Sequence, residues 1–281
     1  MRLVLVLVFF WSTYSFAQQT SHLETEVFCQ PVLISGDAGT SSGTGFFVMD
    51  SSKWYLVTAK HVILDPKSNK LLSEKLSLTV YSQNLLKEDK NIITVDAKSA
   101  FDAKNIYFNV KDDAIAIEMG SAKGKEVTFN AYATVTTKSK TEIIKPLSLK
   151  AAESFDDIHL GDEIYIFGYP TSFGLKPMPQ FDYEKPLLRR GTVAGKYEER
   201  HSFVIDCTMF PGNSGGPVIK KVSGKAGYSL VGLITGFIPY FDQSIDSKEG
   251  KKSEESIYQM NSGYGVMIPL DVVTELVRRK I

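Results

Sequence analysis

An all-β fold is predicted by two observations. The chain is a succession of short segments rich in Val, Ile, Tyr, Phe and Thr, broken by Gly, Pro, Asn, Asp and Lys clusters, and no alternation of strand with helix runs through it. The segments are GTGFFVMD (43–50), KWYLVTAKHVI (53–63), LSLTVYS (76–82), DAIAIEM (113–119), EIYIFGYP (163–170), HSFVIDCTMF (201–210), GPVIKKV (216–222), YSLVGLITGFI (228–238) and YGVMIPL (264–270). Many short strands with polar punctuation pack as sandwiches or barrels. One helix is predicted, after Pro269-Leu270-Asp271, where Val272, Val273, Leu276 and Val277 repeat at helical spacing. Arg278, Arg279 and Lys280 suit the negative end of its dipole. The pattern lapses from Lys145 to Glu153, which marks the boundary between two halves, 27–150 and 151–281. The charged, Ser-rich stretch from Asp242 to Met260 reads as a hairpin loop.

Ahead of these segments stands Arg2 and then an uncharged run, LVLVLVFFW. It is short of the roughly 20 apolar residues that span a bilayer. With Ser15 and Ala17 as small residues, it reads as a signal peptide over residues 1–17, cleaved after Ala17, followed by a tail over 18–26. An uncleaved anchor is the other reading. A secreted or periplasmic protein follows from the first. Lys plus Arg (32) equals Asp plus Glu (32), which argues against an electrostatic nucleic-acid binder and against a polybasic membrane patch. Cys29 and Cys207 either form a disulfide, which an exported chain permits, or leave Cys207 as a small core residue. Two isolated Cys and four scattered His have no metal-ligand spacing, and no cofactor is expected.

The motif with the most chemical content is Pro211-Gly212-Asn213-Ser214-Gly215-Gly216-Pro217. A nucleophilic serine needs a tight, exposed turn, with nearby amides aimed at the oxyanion that forms on attack. The amides of Gly212 and Ser214 are the donors in place for it. A nucleophile also needs a base. His22 lies in the tail, and His159 and His201 lie in polar turns. His61 differs, ending the apolar strand Leu56-Val57-Thr58-Ala59-Lys60-His61-Val62 close to Gly43–Val48. The G-x-S-x-G spacing also fits an α/β-hydrolase elbow, but that fold places its His after the Ser, and all four His here precede Ser214.

GTGFFV followed by LVTAKHV resembles the His region of trypsin-like (chymotrypsin-fold) serine peptidases, and GNSGGPV resembles their Ser region. The layout is most similar to single-domain HtrA/Deg-like bacterial peptidases without a PDZ domain. Leu160–Pro170, Gly191–Gly195, Asp206 and Gly263–Pro269 add to the likeness, which runs from about residue 40 to the end. The resemblance implies two packed six-stranded Greek-key β-barrels with a short C-terminal helix, the first carrying His and Asp and the second Ser. It implies a serine endopeptidase acting on polypeptides through a His–Asp–Ser triad and an acyl-enzyme. The third member falls in Lys111-Asp112-Asp113-Ala114. Asp113 fits the family pattern better, and Asp112 fits a variant of it. The resemblance also maps the primary specificity pocket to Thr208, Thr235, Gly236, Phe237 and Gly263. With no acid at its floor, small or medium apolar side chains are expected there. Activity should rise from acid pH as His61 loses its proton. The rival function is a catalytically silent relative that binds peptides or acts like a chaperone.

Overall fold

The structure, a computed structural model, describes residues 31–37, 41–81, 90–123, 126–137, 146–170, 182–222, 227–244 and 256–278. The predicted leader, the tail with His22, Cys29, the Lys138–Lys145 stretch and the 245–255 part of the predicted hairpin loop lie outside these residues. No helix among them is long and apolar enough to cross a membrane.

The first half holds β1 (Pro31–Gly36), β2 (Ser42–Asp50), β3 (Lys53–Thr58), a single helical turn α1 (Lys60–Ile63), β4 (Lys75–Tyr81), β5 (Lys90–Asp96), α2 (Ala97–Asp102), β6 (Ile106–Phe108), β7 (Ile115–Lys123), β8 (Glu126–Phe129), β9 (Ala133–Thr137) and β10 (Leu147–Ser148). The second holds β11 (Glu163–Gly168), β12 (Leu187–Tyr197), β13 (Ser202–Asp206), β14 (Pro217–Lys221), β15 (Tyr228–Ser244), β16 (Ser256–Pro269) and α3 (Leu270–Arg278). The architecture is a double barrel of the trypsin kind. The first half is one curled sheet in the order β6-β7-β3-β2-β1-β4-β5-β9, with β8 beside β7 and β10 beside β2. The second is a closed barrel, β11-β12-β13-β16-β15-β14.

Three apolar clusters follow from the strand patterns. One fills the curled sheet around Trp54, Leu56, Leu78 and Ile117. Another fills the closed barrel around Ile166, Val193, Phe203 and Met267. The third joins the halves. Phe46, Val48, Val57 and Ala116 come from the first, Phe167 and Leu233 from the second, and Leu270, Val273, Leu276 and Val277 from α3. The terminal helix thus puts its predicted apolar face into the seam between the barrels. Arg278 at its end reaches back 2.9 Å to Asp50.

Two elements depart from the sequence reading. The segment 53–63 is not one strand. Pairing with β2 ends at Thr58, and His61 sits in the helical turn α1, whose first N–H groups have no partner within so short a helix. Asp113 supplies one from outside, because its Oδ1 accepts from the His61 amide at 3.0 Å. The stretch from Asp242 to Met260 is not all loop either. Residues 242–244 and 256–260 continue the β15–β16 ladder, in register from Pro239↔Asn261 to Ser244↔Ser256.

Candidate active site

His61 and Asp113 meet between the end of β3 and the start of β7. Asp113 grips the histidine at two points: Oδ1 accepts from the main-chain N–H at 3.0 Å, and Oδ2 lies 2.7 Å from Nδ1. The Asp113 carbonyl also accepts from the Lys60 amide at 3.3 Å. Asp112 points elsewhere. Its Oδ2 accepts from Asn109 Nδ2 at 2.7 Å, while its amide donates to Asn109 Oδ1 at 2.6 Å, closing the loop ahead of Asp113. Of the two carboxylates that the sequence left open, the structure brings Asp113 to the imidazole. Lys60 braces the same loop. The residue is 8% exposed, and its ammonium donates to the carbonyls of Asn109 (2.8 Å) and Val110 (3.2 Å).

The Ser214 turn is made by its sequence. Pro211 and Gly212 occupy the centre of a β-turn closed by Asn213 N–H donating to Phe210 C=O at 3.0 Å, and Gly212 has φ +95°. Proline first and a positive-φ glycine second specify a type II turn. Neither the Gly212 nor the Ser214 amide donates to a backbone carbonyl of the described residues, so among these residues both are available as donors. Gly215 has φ +82°, and a Cβ there would fall 2.0 Å from Thr58 Oγ1 and 2.1 Å from the Thr44 carbonyl. No other residue fits that approach.

The two turns belong to different halves, and Thr44 of β2 joins them. Its amide donates to the Ser214 carbonyl (2.9 Å) and its hydroxyl to the Gly212 carbonyl (2.6 Å). The same hydroxyl accepts from the Tyr169 amide (2.9 Å), and the Thr44 carbonyl accepts from Thr58 Oγ1 (2.6 Å). Thr44 and Thr58 are fully buried. Gly43 is wedged between the two turns, since a Cβ there would lie 2.7 Å from Val62, next to His61, and 3.2 Å from the Ser214 carbonyl. Thr44 and Lys60 lie outside the serine turn and are not histidines, so a search for a serine nucleophile and its histidine base passes over them. The one sequence signal for Thr44 is its place in GTGFFV.

Four of the five residues mapped to the specificity pocket lie on the paired strands β15 and β16. Thr235, Gly236 and Phe237 are on β15, and Gly263 is on β16, where Gly236 pairs with Val266 and Phe237 with Gly265. A Cβ on Gly236 or Gly263 would meet nothing within 4 Å, so both face open space. Thr208 is half-buried in the segment that leads from β13 to the turn. Met209, which the sequence did not single out, is 1% exposed and packs on Gly265, and Asn261 donates to its carbonyl. Arg189 lies with Cζ 4.7 Å over the Phe210 ring.

The other two described histidines are engaged away from the Ser214 turn. His159 donates its amide to Asp162 (2.9 Å), and His201 stacks on Phe155 at 4.3 Å. Cys207 carries a free, buried thiol whose pKa burial pushes up, with the carboxylate of Asp206 adding to it and Arg189 opposing. The other cysteine of the proposed bridge, Cys29, lies outside the described residues. No His/Cys/Asp/Glu group among the described residues could hold a metal.

Residues 43–233, which contain both turns, match the trypsin-like peptidase domain family. The chain belongs to the trypsin-like peptidase family. Among solved structures, the protease Anisep from Arthrobacter nicotinovorans superposes with a TM-score of 0.50 at 14% identity, over 88% of this chain and 92% of that one. The MamO protease domain from Magnetospirillum magneticum (0.47, 14%, covering 90% and 98%) and the HtrA-type protease AlgW (0.48, 16%, covering 89% and 60%) are also similar. At these identities the likeness is one of fold. A curated protein named serine hydroxymethyltransferase, from Natronomonas pharaonis, is 27% identical over 154 residues, or 52% of this chain. The match takes in 35% of that protein, so this chain spans about a third of it, and the name says nothing about this chain's activity.

Proposed function

We propose that this trypsin-like peptidase is a serine endopeptidase with Ser214 as nucleophile, His61 as general base and Asp113 as the acid that orients it. The observation that carries this reading is the two-point hold of Asp113 on His61. An imidazole that donates from Nδ1 to a carboxylate keeps Nε2 free as an acceptor, the tautomer a general base needs. Holding the amide as well as the ring fixes the side chain and the turn it stands on.

The chemistry then runs as follows. Nε2 takes the proton of Ser214 Oγ as the oxygen attacks the scissile carbonyl. Charge accumulates on the carbonyl oxygen, where the free amides of Gly212 and Ser214 stabilise it. His61 returns the proton to the leaving amine, and water then cleaves the acyl-enzyme by the same route. The open space at Gly236 and Gly263 suits a small or medium apolar side chain before the cleaved bond. The leader read over residues 1–17 assigns this activity to a secreted or periplasmic enzyme, and N-terminal sequencing of the expressed full-length chain tests that assignment.

The test of mechanism is intact-mass labelling with a fluorophosphonate. One adduct is expected on the wild type and none on Ser214→Ala or His61→Ala. A wild type that stays unlabelled from pH 6 to 9, while folded, overturns the assignment in favour of a silent peptide-binding relative.

A further inference from the structure

We infer that the outer part of the β15–β16 hairpin is an extended substrate subsite, which binds apolar side chains about four to six residues ahead of the scissile bond. This rests on the endopeptidase reading of the Ser214 site and says which polypeptides that site takes.

The first support is a free strand edge that starts at the nucleophile. β15 has β14 beside it only as far as Leu233, which pairs with Pro217. The next residue, Ile234, donates to the Gly216 carbonyl (3.0 Å) and accepts from the Gly215 amide (2.6 Å). From Thr235 to Ser244 the strand pairs with β16 alone among the described residues. Among the described residues its other edge is therefore open directly beside Ser214. An unpaired edge is a template for an added strand. A peptide with its reacting carbonyl at Ser214 places the residues before that carbonyl along this edge.

The second support is what stands further out. Strands rise about 3.4 Å per residue, so each peptide residue advances by about one residue of β15. Two irregularities, at Ile234/Gly236 and Phe237/Pro239, shorten the count slightly. Pro239 has no N–H, which limits main-chain bonding at that point and leaves recognition beyond it to side chains. Those side chains are Tyr240 (54% exposed) and Phe241 (58%), with Met260 (53%) directly across the ladder from Tyr240. Tyr240 and Met260 share one face, and Phe241 lies on the other. A strand laid alongside presents its side chains to alternate faces, so successive peptide residues each meet an apolar partner. Exposed Tyr and Met suit varied apolar partners, because one is rigid and amphipathic and the other adaptable.

The test uses Ser214→Ala, which binds without turnover, and two fluorescein-labelled decapeptides with Val before the scissile bond. One carries Leu and Phe at the fourth to sixth positions ahead of that bond, and the other carries Ser and Gly there. Fluorescence polarisation should show the apolar peptide binding at least tenfold more tightly. On Ser214→Ala/Tyr240→Ser/Phe241→Ser/Met260→Ser the difference should fall to within twofold, with the melting temperature unchanged. An equal preference in both proteins, or none in either, overturns the subsite. So does a hairpin-dependent dimer in sedimentation that is indifferent to peptide, which would make the face a contact between copies. Hydrolysis of the same peptides by the wild type is read separately. A hairpin-dependent preference without hydrolysis keeps the subsite and sinks the endopeptidase reading.

Discussion

Thr44→Val probes the link between the halves with almost no change of shape. Valine keeps the volume and the branched Cβ that suits a strand, and it keeps the amide bond to Ser214. It removes the hydroxyl, which serves two groups at once: the Gly212 carbonyl that accepts at 2.6 Å and the Tyr169 amide that donates at 2.9 Å. Both bonds are buried, so neither group gains a water in exchange. A buried polar group left unpaired costs about 1–3 kcal/mol, which puts the total at roughly 2–5 kcal/mol after the saving from no longer burying the hydroxyl. Urea unfolding should show that loss as a lower midpoint at unchanged slope. The second effect is local. Gly212 carries one of the two free amides, and releasing its carbonyl lets the type II turn rotate that amide away. The rate of fluorophosphonate labelling should therefore fall by about 10²-fold or more, the scale for losing one oxyanion donor, in molecules that remain folded. Stability within about 0.5 kcal/mol of wild type, well below the cost of one unpaired buried group, together with an unchanged labelling rate would refute the reasoning.

The carboxylate pair separates cleanly. Asp113→Asn should lower kcat/KM by about 10⁴-fold, the scale of losing the correct histidine tautomer, while Asp112→Asn should stay within a few-fold of wild type. Lys60→Met should lower kcat by about tenfold to a hundredfold, because the loop that carries Asp113 loses its brace; Lys60→Arg should recover part of the loss, and an unchanged kcat would show the brace to be idle. Lys220 is held 2.6 Å from Glu153 and 2.9 Å from Asp162. Burial works against both charges, but the His159 amide and Lys220 hold Asp162 below the usual carboxylate range, and the two acids hold Lys220 above the usual lysine range. The Asp162 contribution is present above its unfolded pKa and is lost as pH falls through the lowered folded value; the Lys220 contribution is present below its unfolded pKa and is lost as pH rises through the raised folded value. The stability deficit of Lys220→Met, about 1–3 kcal/mol for a partly exposed cluster, should hold between about pH 4 and 10 and shrink outside it. A deficit that stays flat from pH 2 to 11 would refute the linkage.

What the sequence disclosed and what it hid divide along a physical line. Residues that react, or that must bend the backbone for a reacting neighbour, leave local marks. Ser214 stands among glycines and prolines because its turn tolerates little else, and α3 announces itself by Val272, Val273, Leu276 and Val277, which need a continuous apolar face to enter the seam. The Asp112–Asp113 ambiguity was of another kind. Both residues are acids in one short loop, where Asp112 pairs locally with Asn109, and what separates them is the hold of Asp113 on His61 and the brace from Lys60, contacts made only when β3 and the start of β7 are brought side by side. Thr44 lies further still from local legibility, since its partners Gly212 and Tyr169 are 168 and 125 residues away along the chain. The hairpin was misread for a related reason. Charge and serine content describe how a segment meets water, whereas the strands over 239–244 and 256–261 follow from their pairing with each other. The halves are therefore more interdependent than two barrels with a cleft between them. The first contributes His61 and Asp113, the proposed base and acid, but it also contributes, through Thr44, the hydrogen bonds that set the turn on which the second presents Ser214. A fragment ending near residue 150 has no partner for Thr44, and one beginning there has no clamp on Gly212. If the two fragments are expressed separately, labelling of Ser214 should appear only on mixing.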